Sequence, residues 1–248
     1  MVSRKLILLG ALLVSLRADA ADKPVHLFIL SGQSNMQGLK PENSFVPEAR
    51  KLLPDAEVVH LKVARGGQPI RFWVAEWDQL AEKAGAKVRN PKSPYFYTMI
   101  TDRLKPILKK HPKPDSISFC WMQGERDAKS GLEGVYESAL KQLIANLRRD
   151  LERPDMNVVI GRISDHSPPE QWRKGWEKVR QIHVKVAQDD PHGAWVDTDD
   201  VNNKIKQDKP DNDLHYTKEG YVLLGQRLAR QAVSLINGKN PATNGRPE

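Results

Sequence analysis

The apolar run Leu27-Phe28-Ile29-Leu30 stops at Ser31-Gly32, and the turn Gly32-Gln33-Ser34-Asn35-Met36 follows at once. A short continuous apolar run bounded by a turn signal reads as a strand buried on both faces. A serine at a sharp bend from such a strand into a helix holds its hydroxyl exposed at the C-terminal edge of a sheet, where a nucleophile can work. The same position suits a plain helix N-cap. Ser34 therefore reads as catalytic only if the rest of the chain supplies a base, an orienting acid and oxyanion donors.

Four further apolar runs follow, giving strands at residues 25–30, 57–63, 116–121, 157–163 and 194–197. Helical periodicity lies between or after them. It is clearest at Leu132, Val135, Tyr136, Ala139, Leu140, Leu143, Ile144, Leu147 and Leu151, and recurs over 97–110, 171–188 and 217–236. Strands alternating with helices predict a parallel sheet covered on both faces. No linker or internal repeat divides the chain. The segments 41–55 and 65–94 lack a regular period and read as loops around the crevice. The tail 237–248 is polar and reads as loose.

Residues 1–20 have the form of a signal peptide: basic Arg4 and Lys5, apolar Leu6 to Leu16, and a cleavage site at Ala18-Asp19-Ala20. The apolar part is shorter than the roughly 20 residues of a membrane span, so the expected protein is secreted or periplasmic, without a span in its mature part. The chain has 248 residues and a formal charge of +8. The leader holds three of the cations and one acid. The positive charge that remains is mixed with acid throughout, and no basic stripe with stacking aromatics is present, so nucleic acid is not an expected partner. The single cysteine, Cys120, excludes an internal disulfide and reads as core. The histidines show no metal-ligand spacing and no phosphate loop appears, so neither metal nor cofactor is expected.

Four blocks carry the chemistry: Gly32-Gln33-Ser34-Asn35-Met36, Ala64-Arg65-Gly66-Gly67-Gln68, Trp121-Met122-Gln123-Gly124-Glu125-Arg126-Asp127, and Asp211-Asn212-Asp213-Leu214-His215-Tyr216. The first three follow strands and the fourth precedes the last helix, so all can meet at one sheet edge. Acyl transfer needs such a set. A serine hydroxyl needs a base to take its proton, a carboxylate fixes the base's tautomer, and backbone or amide N–H groups hold the oxyanion. Ser34, His215, Gly67 and Gln123 offer those groups.

Together these blocks resemble the SGNH/GDSL hydrolase superfamily, in its branch of sialate O-acetylesterase-like and family 6 carbohydrate esterases. The resemblance runs from Val25 to Ile236 and makes residues 21–236 the esterase domain. It implies a flavodoxin-like three-layer α/β/α sandwich with a five-stranded parallel sheet, no metal, and removal of O-acetyl groups from an acetylated oligo- or polysaccharide. By motif, Ser34 is the nucleophile and His215 the base, with the Ser34 and Gly67 amides and the Gln123 side chain as oxyanion donors. The family's usual acid, three residues before the histidine, is here Asn212. Asp213 is the favoured orienting acid, Glu125 the second choice, and Asp211 a third. Gln33, Gln68, Arg126 and His166 are candidate substrate contacts. Trp73, Trp77 and Trp121 are either sugar platforms or core. The alternative reading is a carbohydrate-binding or accessory protein on the same fold with impaired catalysis. A lipid or thioester hydrolase would need an apolar acyl tunnel that these polar loops do not suggest.

Overall fold

A computed structural model describes residues 23–89, 95–206 and 209–246, with 204–206 and 209–212 through their backbone alone. The proposed signal peptide lies outside the described residues. So does the Asp211 side chain. Five parallel strands form the main sheet in the order β2-β1-β3-β4-β5: β1 (Val25–Gly32), β2 (Glu57–Ala64), β3 (Ser116–Met122), β4 (Asn157–Gly161) and β5 (Gly193–Val196). The helices are α1 (Ser34–Gly38), α2 (Phe45–Leu52), α3 (Trp77–Lys83), α4 (Tyr95–Lys110), α5 (Glu125–Lys129), α6 (Glu133–Asp150), α7 (Glu170–Asp189) and α8 (Lys218–Ile236). Paired α2 and α8 cover one face, and α6 and α7 pack together on the other. The sandwich is thus three-layered, as the alternating pattern predicts.

Burial follows the strand order. Interior strand β1 has neighbours on both sides, and Leu27 through Leu30 are buried between the helix layers. Edge strand β2 alternates more loosely and admits His60 and Lys62. Lys62 works locally: its ammonium donates to the carbonyls of Met36, Gln37 and Leu39, at 3.4, 3.0 and 2.6 Å. It closes the C-terminal end of the five-residue α1, where a cation suits the unpaired carbonyls. Cys120, Trp73, Trp77 and Trp121 are all fully buried. The tryptophans are core, with indole N–H groups satisfied by Ser31 Oγ, the Val88 carbonyl and Tyr136 Oη respectively for Trp73, Trp77 and Trp121.

Three features differ from the sequence reading. The segment 41–55 contains α2, and 65–94 contains α3. Residues 203–206 and 209–212 pair antiparallel as β6 (Asn203–Lys206) and β7 (Lys209–Asn212). The tail folds back onto the sheet through residue 246. Asp197 N–H donates to the Asn244 carbonyl at 2.7 Å, and Arg246 pairs with Asp197 at 3.2 Å.

Register sets the working edge. Gly32 stands level with Ala64 on one side and Met122 on the other. Gln33 N–H then donates to the Met122 carbonyl (2.9 Å), and Arg65 N–H to the Gly32 carbonyl (3.1 Å). Three chains therefore leave the sheet at one height, on either side of the β1/β3 switch point where open α/β sheets bind ligands. Gly32 is the only residue type this corner accepts. Its φ is +146°, and a β-carbon there would sit 1.9 Å from the Met122 carbonyl oxygen. Gly32→Ala is expected to destabilise the fold by about 3 kcal/mol or more, lowering Tm by roughly 6–12 °C. A thermal melt unchanged within about 2 °C would contradict this account of the corner.

Candidate active site

Ser34 is the first residue of α1, partly exposed, so its backbone N–H has no acceptor within the helix. The Gly66-Gly67 turn lies against it: a β-carbon on Gly66 would fall 3.6 Å from Ser34 Cβ. Gly66 N–H donates to Gln37 Oε1 at 2.7 Å, which ties the turn to α1. The carbonyls on either side of the Gly67 amide are both held. Gly66 O accepts from Gln68 Nε2 (3.3 Å), and Gly67 O accepts from Arg126 Nε (2.9 Å). In a trans peptide the N–H opposes the C=O, so the Gly67 N–H points away from the Gln68 amide. Gly67 has φ +69°, which glycine adopts without strain. Gln68 and Arg126, expected at the substrate, thus grip the loop that carries the proposed oxyanion amide.

Behind the serine lies a buried polar frame. Gln33, also expected at the substrate, is buried. Its Oε1 accepts from Gln123 Nε2 (3.2 Å), Gly124 N (3.5 Å) and Arg126 N (3.2 Å), binding the serine turn to the β3 turn. Gln123 is fully buried. Its Nε2 also donates to the Gln68 carbonyl (3.1 Å) and to Asp127 Oδ2 (2.5 Å). An amide nitrogen has two protons, so both are taken up within the protein. Asp127 Oδ2 accepts the Ile70 N–H as well (3.0 Å), fixing the far end of the Gly-Gly loop.

Asn35 joins the serine to the histidine segment. Its Nδ2 donates to Glu125 Oε1 (3.0 Å) and to the Leu214 carbonyl (3.1 Å), and its Oδ1 accepts from Tyr221 Oη (3.3 Å). The residue after Ser34 is therefore bonded to the residue before His215. Asn202 Nδ2 holds the same segment from the β4 side, donating to the Asp213 carbonyl (3.0 Å) and Asp165 Oδ1 (3.2 Å). Tyr216 Oη donates to Thr198 Oγ1 (3.0 Å), and Thr217 N–H to the Val201 carbonyl (3.2 Å). His215 stands exposed at the crest of this pinned segment. The Asp213 carboxylate curls back onto the same turn, its Oδ1 accepting the His215 backbone N–H in a long bond of 3.4 Å. Glu125, at the start of α5, is buried beside Asn35. His166 is half-buried after β4, edge-on to Trp176 with ring centres 5.4 Å apart.

Asn35 and Asn202 carry no assigned role in the sequence reading. Asn35 had a signal, as an amide inside the first motif on a helix that opens at a sheet edge. Asn202 had none, because it precedes a hairpin without apolar alternation. His183 is buried and bonds to the back of the β3 turn. Tyr136 Oη donates to the Gln123 carbonyl (2.5 Å), so His183 Nε2–H must donate to Tyr136 (2.9 Å), and Nδ1 accepts from Ile163 N (3.4 Å). Burial holds this imidazole neutral, lowering its pKa to about 3. Among the described residues no cluster of three His, Cys, Asp or Glu side chains could hold a metal ion, and no helix is long and apolar enough to cross a membrane.

Burial raises the Glu125 carboxyl to about 6 and the Asp127 carboxyl to about 7, in each case against hydrogen bonds that favour the anion. A folded-state pKa above the unfolded one means that the native protein keeps its proton longer. The Asp127 contribution to stability is therefore full below about pH 4 and declines as pH rises toward 7. Asp127→Asn removes that decline and keeps an oxygen for Gln123 and Ile70. The Tm of the variant relative to wild type is expected to be several degrees more favourable at pH 8 than at pH 4.5. An equal difference at both pH values would contradict an acid that resists ionisation.

Comparison with known proteins agrees with this arrangement. A family model described as "SASA: Carbohydrate esterase, sialic acid-specific acetylesterase" matches residues 37–234, starting just after Ser34. No curated protein sequence matches the chain. Solved structures share the fold at low identity. A protein from Arabidopsis thaliana superposes with TM-score 0.61 at 21% identity, over 85% of this chain and 98% of that one. XAC1771, a carbohydrate acetylesterase from Xanthomonas citri, gives 0.64 at 14%, over 88% and 57%. NanS gives 0.56 at 13%, over 88% and 99%. The family match spans most of the described fold and the loops that build the crevice, and the chain belongs to this family of carbohydrate esterases, as a carbohydrate O-acetylesterase.

Proposed function

We propose that the protein is exported and removes acetyl groups from sugar hydroxyls through an acetyl-enzyme on Ser34. The hydrogen bond from Asn35 Nδ2 to the Leu214 carbonyl carries the reading, because it sets the serine turn directly against the histidine segment. Ser34 Oγ attacks the acetyl carbonyl carbon while His215 takes its proton. The negative oxygen is held by the Ser34 and Gly67 N–H groups. Gln123 braces the loop in the resting enzyme, and serves as third donor only by releasing an internal acceptor. The bond to the sugar oxygen then breaks, and His215 returns the proton to that oxygen. Water, deprotonated by His215, attacks the acetyl-enzyme, and acetate leaves as Ser34 regains its proton.

Asp213 is the proposed orienting acid, since its carboxylate already folds onto the turn of His215. Glu125 positions Asn35. The basic, apolar and small-residue pattern of residues 1–20 supports export.

Ser34→Ala is expected to release acetate from an acetylated oligosaccharide at less than about a thousandth of the wild-type rate. Retention of the wild-type rate would overturn the mechanism and leave the binding-protein reading. Asp213→Asn is expected to lower kcat by about 10²–10⁴-fold with KM little changed, by analogy with the corresponding substitution in serine proteases. A loss under tenfold there, beside a large loss in Glu125→Gln, would transfer the orienting role to Glu125.

A further inference from the structure

An open cavity of about 920 Å³ lies beside the reaction centre, at the C-terminal end of β2. Its near wall is the loop bearing Arg65 and Gln68, the residues that bracket Gly66 and Gly67. Its far wall is Phe72 with Tyr95 and Phe96 from the start of α4 and Arg103 from its middle. The aromatic wall is continuous. Phe96 stacks on buried Trp73 with ring centres 4.5 Å apart, and meets Phe72 and Tyr95 edge-on at 6.4 and 5.1 Å. Trp73 in turn packs edge-on against Trp121 of β3, at 5.2 Å. The shelf is thus backed by the core, yet Tyr95 remains 61% exposed.

Two guanidinium groups flank this shelf. Among the described residues neither Arg65 nor Arg103 has a carboxylate partner, and both are exposed. Several arginines elsewhere are closed by acids, among them Arg148 by Asp190, Arg162 by Asp197 and Asp199, and Arg227 by Asp200. The acid in the cavity lining, Asp102, is taken by Lys105 at 2.7 Å. The Lys62 ammonium is turned to the α1 carbonyls. Two fork-shaped donors and an aromatic face, with the lining acid Asp102 paired to Lys105, form a combination suited to an anionic ring with an apolar face. A neutral sugar could use the aromatic shelf and accept hydrogen bonds from the guanidiniums, but it would leave their charge unanswered.

We propose that this cavity is a subsite for an acidic sugar, carrying a carboxylate or a sulfate, next to the acetylated residue in a glycan chain. The recognised charge lies on the neighbouring ring, because Arg65 and Gln68 line the cavity while Ser34 does not. The assignment rests on the esterase reading for which ring is acetylated, while binding itself can be measured without catalysis.

The test is calorimetric binding to Ser34→Ala of two unacetylated xylo-oligosaccharides of equal length, one bearing a glucuronic acid branch and one neutral. The acidic ligand is expected to bind about tenfold tighter at low salt, with the advantage shrinking as salt is added. Arg65→Gln with Arg103→Gln in the same background should abolish that advantage. Tyr95→Ala should weaken both ligands. A sulfated xylo-oligosaccharide separates the two charge sources: tighter binding than the carboxylate makes sulfate the preferred group within the same subsite. Equal affinity for acidic and neutral ligands, or an advantage that survives loss of both arginines, would overturn the proposal. If the acidic preference holds but the wild-type enzyme releases no acetate from any acetylated form of these ligands, the subsite stands and the esterase reading falls.

Discussion

The parallel register of β1 with β2 and β3 is the constraint on which everything else depends. It brings Gly32, Ala64 and Met122 to one level. Each strand then gives way to a turn at the same height, so the Ser34, Gly67 and Gln123 turns become neighbours, and buried side-chain bonds such as Gln33–Gln123 tie them together. A slip along β1 would carry Ser34 away from the Gly67 and Gln123 turns and force apolar residues into new surroundings. The packing of Leu27 to Leu30 between the helix layers therefore also fixes the chemistry. Hydrophobic burial supplies the driving force, and the absent side chain of Gly32 lets the chain turn sharply against the Met122 carbonyl.

The second layer of organisation is polar and buried. Gln33, Asn35, Gln123, Glu125 and Asp127 form a frame under the crevice, exposing almost nothing to solvent. Burying such groups is unfavourable unless each finds a partner. Most of their atoms do, while Gln123 Oε1, Glu125 Oε2 and Asp127 Oδ1 have none among the described residues. The raised pKa values of the two acids follow from the same burial. The frame holds three loops rigidly at the cost of some stability, which is where preorganised donors are useful. Three side chains that the motif suggested as substrate contacts, Gln33, Gln68 and Arg126, spend polar groups on this bracing. The proposed acidic-sugar subsite lies instead on the side of the crevice where Arg65, Arg103 and Tyr95 are exposed.

The sheet was legible because its strands are apolar runs interrupted by turn residues. Each predicted strand lies within two residues of its observed bounds. The long helices were legible from their apolar stripes, and Thr217 caps α8 through Gly220 N–H as a helix-start residue should. What escaped has physical reasons. Helix α2 is short and carries Pro47 in its first turn, which masks it. The β6–β7 hairpin is made of Asn, Lys, Asp and Pro around Ile205, so it shows no inside and outside. The tail carries no apolar signal because it docks through Asn244 and Arg246. In the site, the residue types of the chemistry could be read from the motifs, but their pairing could not. Whether a glutamine faces substrate or closes a buried frame depends on partners some 90 residues away, as for Gln33 with Gln123.

The central claim is that Ser34 is a nucleophile activated by His215 across the Asn35–Leu214 contact. Incubation with a serine-reactive phosphonate, followed by peptide mass spectrometry, tests it most directly. The label is expected on the peptide containing Ser34 in the wild-type protein, with slow or absent labelling of the same peptide in His215→Ala. Labelling at another serine, or equal labelling of Ser34 with and without His215, would contradict it.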